Sequence, residues 1–212
     1  MSINNQVQEA IQALDQATTR DELLVATKVL ADTRSLEAAT KLIEVLGHNN
    51  PATAVVATKG LTQLGPPVIP MLLSSLEASD YTTRAWAIKI LADLRDTRSL
   101  DVLIDAARTD ISPSVRRTAL RGLATLDFRS TVNGLKDLER CLNTLMEGCN
   151  DPEWVVRYAA VFGIERWLAS NQLQLDACTM AVSCLHRCAD TREGVRVVQC
   201  RAQLALQRLS QG

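Results

Sequence analysis

The sequence is poor in aromatic residues and lacks a long hydrophobic run. Three Trp, two Tyr and two Phe are found among 212 residues, and no stretch is apolar and long enough to span a bilayer. The N-terminus has neither the basic nor the apolar segment of a secretory signal. We therefore expect a cytoplasmic protein with no membrane insertion.

The sequence also lacks an excess of charge of either sign. It contains 23 Lys and Arg against 24 Asp and Glu, for a formal net charge of −1. Duplex nucleic acid demands a basic surface that neutralises phosphates. We therefore expect no nucleic-acid partner.

Cysteine is absent from the first 140 residues, and all six cysteines follow. Without a secretory signal they are expected to be reduced thiols. The spacing of Cys184, His186 and Cys188 is that of possible metal ligands. On one helix, however, His186 lies about 200° from Cys184, so the three side chains diverge. The sequence predicts no metal site and no tightly bound cofactor.

Internal repetition organises the chain. The string "ADTRSLEAA" (31–39) returns as "RDTRSLDVL" (95–103), 64 residues later, which is twice a period of 32. The strings "SDYTTRAWAIKIL" (79–91) and "ISPSVRRTALRGL" (111–123) superpose at offset 32, and "DPEWVVRYAAVFGIERW" (151–167) is a further copy. Proline stands at the expected helix starts, at Pro51, Pro66, Pro113 and Pro152. This pattern predicts stacked helices throughout.

An aspartate precedes an arginine by six residues in three of the repeats. The pairs are Asp110 with Arg116, Asp151 with Arg157, and Asp190 with Arg196. This spacing resembles the aspartate–arginine ladder of HEAT repeats, in which neighbouring units are bridged. The predicted fold is all-α, a HEAT-like repeat α-solenoid forming a right-handed superhelix of about five helical pairs. Residues 1–212 are expected to form a single domain, with residues 1–20 as an N-terminal capping or interface helix.

The aligned second helices of the repeats predict two faces. One face is aliphatic or small in every copy and is the expected core: Ala87, Leu91, Ala119, Leu123, Ala159, Ala160, Gly163 and Ile164. The other is expected to line the concave surface of the solenoid: Tyr81, Arg84, Ala85, Ile88, Ala92, Pro113, Arg116, Arg117, Leu120, Ala124, Trp154, Arg157, Tyr158, Val161 and Glu165. Trp86, Phe162 and Trp167 are interpreted as packing. A groove of rings and guanidinium groups suits a flat conjugated anion.

Two strings also carry a family resemblance. The segments 80–123, with "YTTRAWAI", and 149–165, with "DPEWVVRYAA", resemble the smaller, F-type subunit of the heterodimeric phycobilin lyases. The similarity runs from about residue 20 to residue 210. It implies a lyase that pairs with an E-type subunit and attaches phycocyanobilin, its substrate, by a thioether bond to a cysteine of apo α-phycocyanin.

The resemblance gives the groove a ligand, because a bilin carries two propionates and a conjugated plane. The residues expected to bind it are Tyr81, Arg84, Arg116, Arg117, Trp154, Arg157 and Tyr158. Asp110 and Asp151 are candidates for hydrogen bonds to pyrrole N–H groups, and His48 is a candidate proton shuttle.

Other classes of function remain open on the sequence alone. The same groove would serve a noncatalytic HEAT-repeat scaffold that grips a protein. Relatives with these repeats also take part in phycobilisome degradation or bilin detachment.

Overall fold

Helices account for nearly all of the chain that the structure describes. The computed structural model describes residues 3–76, 80–128, 134–170 and 175–211, which form twelve α-helices and no strand. The all-α prediction is confirmed for these residues. The chain divides into two compact units, Met1–Leu94 and Arg95–Gly212. The single domain and the right-handed superhelix stay predictions.

The first unit contains three consecutive helix pairs. The helices are α1 (Ile3–Asp15), α2 (Arg20–Asp32), α3 (Ala39–Leu46), α4 (Pro51–Leu64), α5 (Ile69–Leu76) and α6 (Tyr81–Leu94). Each helix packs on its pair partner, and α4 also packs on α2 and α6, the second helices of the other two pairs. Val7 and Leu14 of α1 are buried as the helix packs on α2. The N-terminal helix therefore buries one side against its neighbour, and its role as a cap or an interface stays a prediction.

The second unit repeats the arrangement. Its helices are α7 (Leu100–Thr109), α8 (Pro113–Leu123), α9 (Gly134–Gly148), α10 (Trp154–Ser170), α11 (Leu175–Ala189) and α12 (Arg196–Leu209). The second helices α8, α10 and α12 pack in sequence, and the first helices α7, α9 and α11 do the same. Counted from α3, the described helices form five pairs, the number that the sequence predicts.

Local sequence explains where several helices begin. The Thr19 hydroxyl accepts from the Glu22 amide while the Glu22 carboxylate accepts from the Thr19 amide, a complete capping box at the start of α2. Pro51 and Pro113 occupy the first positions of α4 and α8, where a missing N–H costs nothing. Gly65 follows α4 with a φ of 75°, a conformation that glycine adopts readily.

The predicted core face of the second helices is confirmed, but the predicted groove face is only half correct. Every residue assigned to the core face is buried. On the other face, the residues of the first helical turns are at least partly exposed. Those further along are buried instead: Ile88, Ala92, Leu120, Ala124, Val161 and Glu165. Further along the helices this face is therefore enclosed, and the residues of its first turns are the ones open to a ligand.

The repeated DTRSL string occupies the turn after a second helix in both copies, but in two registers. Ser35 caps the 3₁₀ turn Leu36–Ala38 in the first copy, whereas Asp96 caps Thr97–Ser99 in the second. The left-handed residue that ends the preceding helix is Arg34 in one copy and Arg95 in the other. The same string therefore identifies the same loop in both repeats, although its residues take different positions in the turn.

Two tryptophans of α10 test the division between core and surface. Trp167 is 1% exposed, and its indole N–H donates to the Leu123 carbonyl over 3.2 Å. Trp154 is 45% exposed. Trp167→Ala should lower the free energy of unfolding by about 3–5 kcal/mol, since it leaves a cavity, and Trp154→Ala by less than about 1 kcal/mol. Urea titration followed by helical circular dichroism measures both, and equal losses would contradict the assigned faces.

Candidate functional site

A ladder of arginines joins the repeats of the second unit. The Arg116 guanidinium binds the Asp151 carboxylate through Nε at 2.7 Å and Nη2 at 2.9 Å. Its Nη1 donates to the carbonyl oxygens of Asp110 at 2.8 Å and Ile111 at 3.3 Å. One side chain thus ties the loop before its own helix to the loop before the next second helix. The pairing with Asp151 raises the pKa of Arg116.

The next rung is built the same way but with a different acid. Arg157 donates through Nε at 3.0 Å and Nη2 at 2.6 Å to the Glu193 carboxylate, and through Nη1 to the Asp151 carbonyl at 2.8 Å. The predicted acid, Asp190, instead accepts from the Arg192 backbone and side chain. It caps the 3₁₀ turn that carries Glu193 toward Arg157, so its place in the ladder was predicted wrongly.

The ladder occupies four residues that the sequence assigns to the bilin. Arg116 and Arg157 are only 12% and 13% exposed in their side chains, and each guanidinium already donates to a carboxylate and to carbonyls. Asp151 accepts from Arg116 and from the Glu153 amide. The largely buried Asp110 accepts from the Ser112 amide. In this structure the side chains of Arg116, Arg157 and Asp151 hold the repeats together, and Asp110 contributes its backbone carbonyl.

A pocket of rings and cations lies directly beside the ladder. It has a volume of about 460 Å³, and its lining comes from α8, α10 and α12: Arg117, Arg121, Trp154, Val155, Tyr158, Ala159, Phe162 and Val197. Arg117 and Arg121 are one turn apart on α8, while Trp154, Tyr158 and Phe162 follow the same spacing along α10. The volume falls within the range of small-molecule sites, and among the described residues no acidic side chain lines the pocket.

Two of the pocket residues were missed or misread in the sequence. Phe162, interpreted as packing, is half-buried, and the guanidinium carbons of Arg121 and Arg201 lie 5.6 and 5.4 Å from its ring centroid. Arg201 is buried and also pairs with Glu165. The alignment of the repeats does give Arg121 of α8 and Phe162 of α10 the same repeat position. That equivalence was the available signal, because residues at one repeat position face the same side.

The remaining predicted residues lie in the first unit. His48 is exposed and lines a pocket of about 670 Å³ with Glu44, Asp80 and Thr83. Hydrogen bonds from Thr83 lower the pKa of Asp80. Tyr81 is 43% exposed, with the Arg84 guanidinium carbon 5.6 Å from its ring centroid, but neither residue lines the pocket that holds His48.

Three thiols also meet in the second unit. The sulfur atoms of Cys149, Cys184 and Cys188 lie within 4.8 Å of one another. His186 is exposed on the far side of α11, as its spacing predicts. Sequence reasoning missed Cys149, which follows α9 and is remote in the chain from the other two.

The repeats and their ladder define a HEAT-repeat protein. Family models described as HEAT repeats match residues 39–124 and 141–170. The bilin biosynthesis protein RpcF of Synechococcus sp. (strain WH8020) is 48% identical, with 95% of each chain covered. The phycocyanobilin lyase subunit beta of Nostoc sp. (strain PCC 7120) is 36% identical, with 92% of this chain and 98% of the relative covered.

A solved structure agrees with these relatives. The complex of CpcE and CpcF of phycocyanin lyase from Nostoc sp. PCC7120 contains a chain that matches with a TM-score of 0.72 at 36% identity, over 81% of this chain and 99% of that one. The chain belongs to the family of phycocyanobilin lyase subunits. None of the helices among the described residues is long and apolar enough to cross a membrane.

Two arginine substitutions distinguish the structural role of the ladder from the binding role of the pocket. Arg157→Ala would leave the Glu193 carboxylate without its cation in a largely buried place. We expect it to lower the free energy of unfolding by about 2–4 kcal/mol. Arg117→Ala, at an exposed site, should cost less than about 0.5 kcal/mol. Chemical denaturation of both variants checks this, and an Arg157→Ala protein as stable as Arg117→Ala would refute the structural role.

Proposed function

We propose that the chain is one subunit of a heterodimeric bilin lyase, and that its pocket holds phycocyanobilin while the bilin is attached to the phycocyanin α-subunit. The observation that carries the proposal is the pocket on α8, α10 and α12, which two arginines and three aromatic residues line together. The lyase names of the relatives support the same activity. The cytoplasm is the proposed compartment.

The pocket matches the chemistry of a bilin group by group. Arg117 and Arg121 offer planar forks to the propionates, and an Arg–carboxylate pair is often bidentate. Trp154, Tyr158 and Phe162 offer ring faces to the conjugated plane. Trp154 and Tyr158 are partly exposed before any ligand binds, so little rearrangement is needed.

The proposed reaction adds a thiol across the ethylidene double bond of the bilin. The acceptor sulfur bonds to the exocyclic carbon, the ring carbon takes up a proton, and no group leaves. Catalysis then requires alignment of the two reactants, a proton donor and help with thiol ionisation. A nucleophile from the lyase itself is not required.

Arg116, Arg157, Asp110 and Asp151 take positioning roles in this proposal. The two arginines, the Asp151 carboxylate and the Asp110 carbonyl fix α8 and α10. Arg117 and Tyr158, which follow the two arginines in the chain, reach the pocket. An E-type partner supplies the remaining walls of the bilin site, and apo α-phycocyanin supplies the acceptor cysteine. Tyr81 and Arg84, an exposed ring beside a cation in the first unit, stay predicted bilin-binding residues.

The pocket residues are tested by reconstituted attachment. Purified chain, an E-type subunit, phycocyanobilin and apo α-phycocyanin are mixed, and covalent colour is scored under denaturing conditions. Arg117→Ala should slow attachment about 10- to 100-fold, because a charge-assisted hydrogen bond is worth about 1.5–3 kcal/mol. Tyr158→Ala should slow it about 2- to 10-fold through the lost ring face. Arg117→Lys and Tyr158→Phe should recover part of the rate.

Arg108→Ala is the matched control, since Arg108 is an exposed arginine of the same unit, paired with Glu147, that does not line the pocket. Its rate should equal that of the wild type. Wild-type complex that leaves the bilin spectrum unchanged would instead indicate a scaffold. Release of bilin from holo-phycocyanin, without attachment, would indicate a detaching enzyme.

His48 is proposed to shuttle a proton from its pocket in the first unit. The imidazole is exposed, and Asp80 and Glu44 line the same pocket. His48→Gln should lower the attachment rate because it removes the proton-transferring imidazole, while the affinity for bilin stays constant. Asn49→Ala, at the exposed neighbouring position, is the control. A wild-type attachment rate for His48→Gln would remove His48 from the reaction.

A further inference from the structure

Three cysteines from two helices converge in the second unit, apart from the residues of the bilin pocket. Cys149 directly follows α9, while Cys184 and Cys188 are one turn apart on α11. All three are buried, and their sulfur atoms lie within 4.8 Å of one another. Cys141 is also buried but lies outside the cluster, so burial alone does not bring thiols together.

The surroundings of the cluster favour a negative charge. The Arg187 Nη2 lies 3.4 Å from the Cys184 sulfur. The guanidinium beside this sulfur favours the thiolate form, which metal ligation requires.

A small pocket gives the cluster access to solvent. It has a volume of about 260 Å³ and is lined by Cys149, Asn150, Arg187, Cys188, Arg192 and Glu193. Glu193 is already bound by Arg157 of the ladder, so it is not free to act as a ligand. The pocket therefore offers an open position beside two of the three sulfur donors, Cys149 and Cys188.

We propose that Cys149, Cys184 and Cys188 bind one Zn²⁺ ion, with a solvent molecule from this pocket in the fourth position. Three thiolates and one open position are a ligand set that zinc accepts, with Zn–S distances of about 2.3 Å. Tetrahedral geometry at that distance places sulfur atoms about 3.8 Å apart, which needs only a small contraction of the cluster.

The proposed charge and proton balance is consistent with the site. Three thiolates and Zn²⁺ carry a net charge of −1, which the Arg187 guanidinium offsets. Thiols that are protonated before binding release their protons to solvent as the Zn–S bonds form. The ion would fasten the end of α9 to α11 next to the Arg157–Glu193 rung. The expectation of no metal site, drawn from the diverging Cys184 and His186, is revised by this proposal.

The test uses the full chain, reduced and freed of metal with a chelator. Zn²⁺ is titrated against a chromophoric competitor, and Co²⁺ serves as a probe because thiolate ligation gives it a charge-transfer band. We expect one ion per chain and a higher melting temperature with Zn²⁺. Cys149→Ala and Cys188→Ala should each weaken Zn²⁺ binding by more than about 100-fold. That loss is larger than the loss expected from changing a residue that only supports a ligand.

Cys141→Ala and Cys200→Ala are the matched controls, one at a buried site and one at an exposed site. Both should bind Zn²⁺ as the wild type does. Lack of stoichiometric binding by the wild type, or wild-type affinity in Cys149→Ala, would overturn the proposal. If the oxidised chain is two hydrogens lighter and the reduced chain binds no metal, the thiols form a disulfide instead. None of these outcomes depends on bilin attachment.

Discussion

The bidentate arginine rung is the interaction on which the second unit depends. Each rung joins a guanidinium to the carbonyl oxygens of the loop before its own helix and to a carboxylate of the following repeat. Because the guanidinium is planar and its donors are fixed in direction, the contact sets both the position and the rotation of the helix that carries it. Repeats that touch only their neighbours gain their register from such local contacts.

The rung also explains why the pocket has its composition. Arg116 and Arg157 turn inward to the loops, and the residues that follow them, Arg117 and Tyr158, lie about 100° further around their helices and line the pocket. The same repeat position thus supplies a cation on α8 and a ring on α10. A ligand with both carboxylates and a conjugated plane fits this alternation, and it meets side chains whose backbone is already held in place.

Much of the fold was predictable because repetition gives several independent views of one helix. The alignment of repeats identified the second helices and the core residues, from Ala87 to Ile164, that the structure buries. It could not show that Leu120 and Val161 are enclosed as well, since an aliphatic side chain suits either a core or a groove. Nor could it show that Glu193, rather than Asp190, pairs with Arg157, because the geometry of the loop decides which carboxylate reaches the arginine.

The candidate site was predicted in part for the same reason. Arg117, Trp154 and Tyr158 line one pocket, as expected of residues sharing a helix face, whereas Arg116 and Arg157 are held by the ladder. The Cys149 contribution to the thiol cluster comes from another helix end and leaves no periodic signal. Long-range convergence of this kind requires the fold.

The most direct measurement is a crystal structure of the heterodimer with an E-type subunit, solved with phycocyanobilin bound. The account predicts a propionate within hydrogen-bond distance of Arg117 or Arg121 and a pyrrole plane against the rings of Trp154 and Tyr158. Bilin bound elsewhere, with this pocket filled by side chains of the partner, would contradict it.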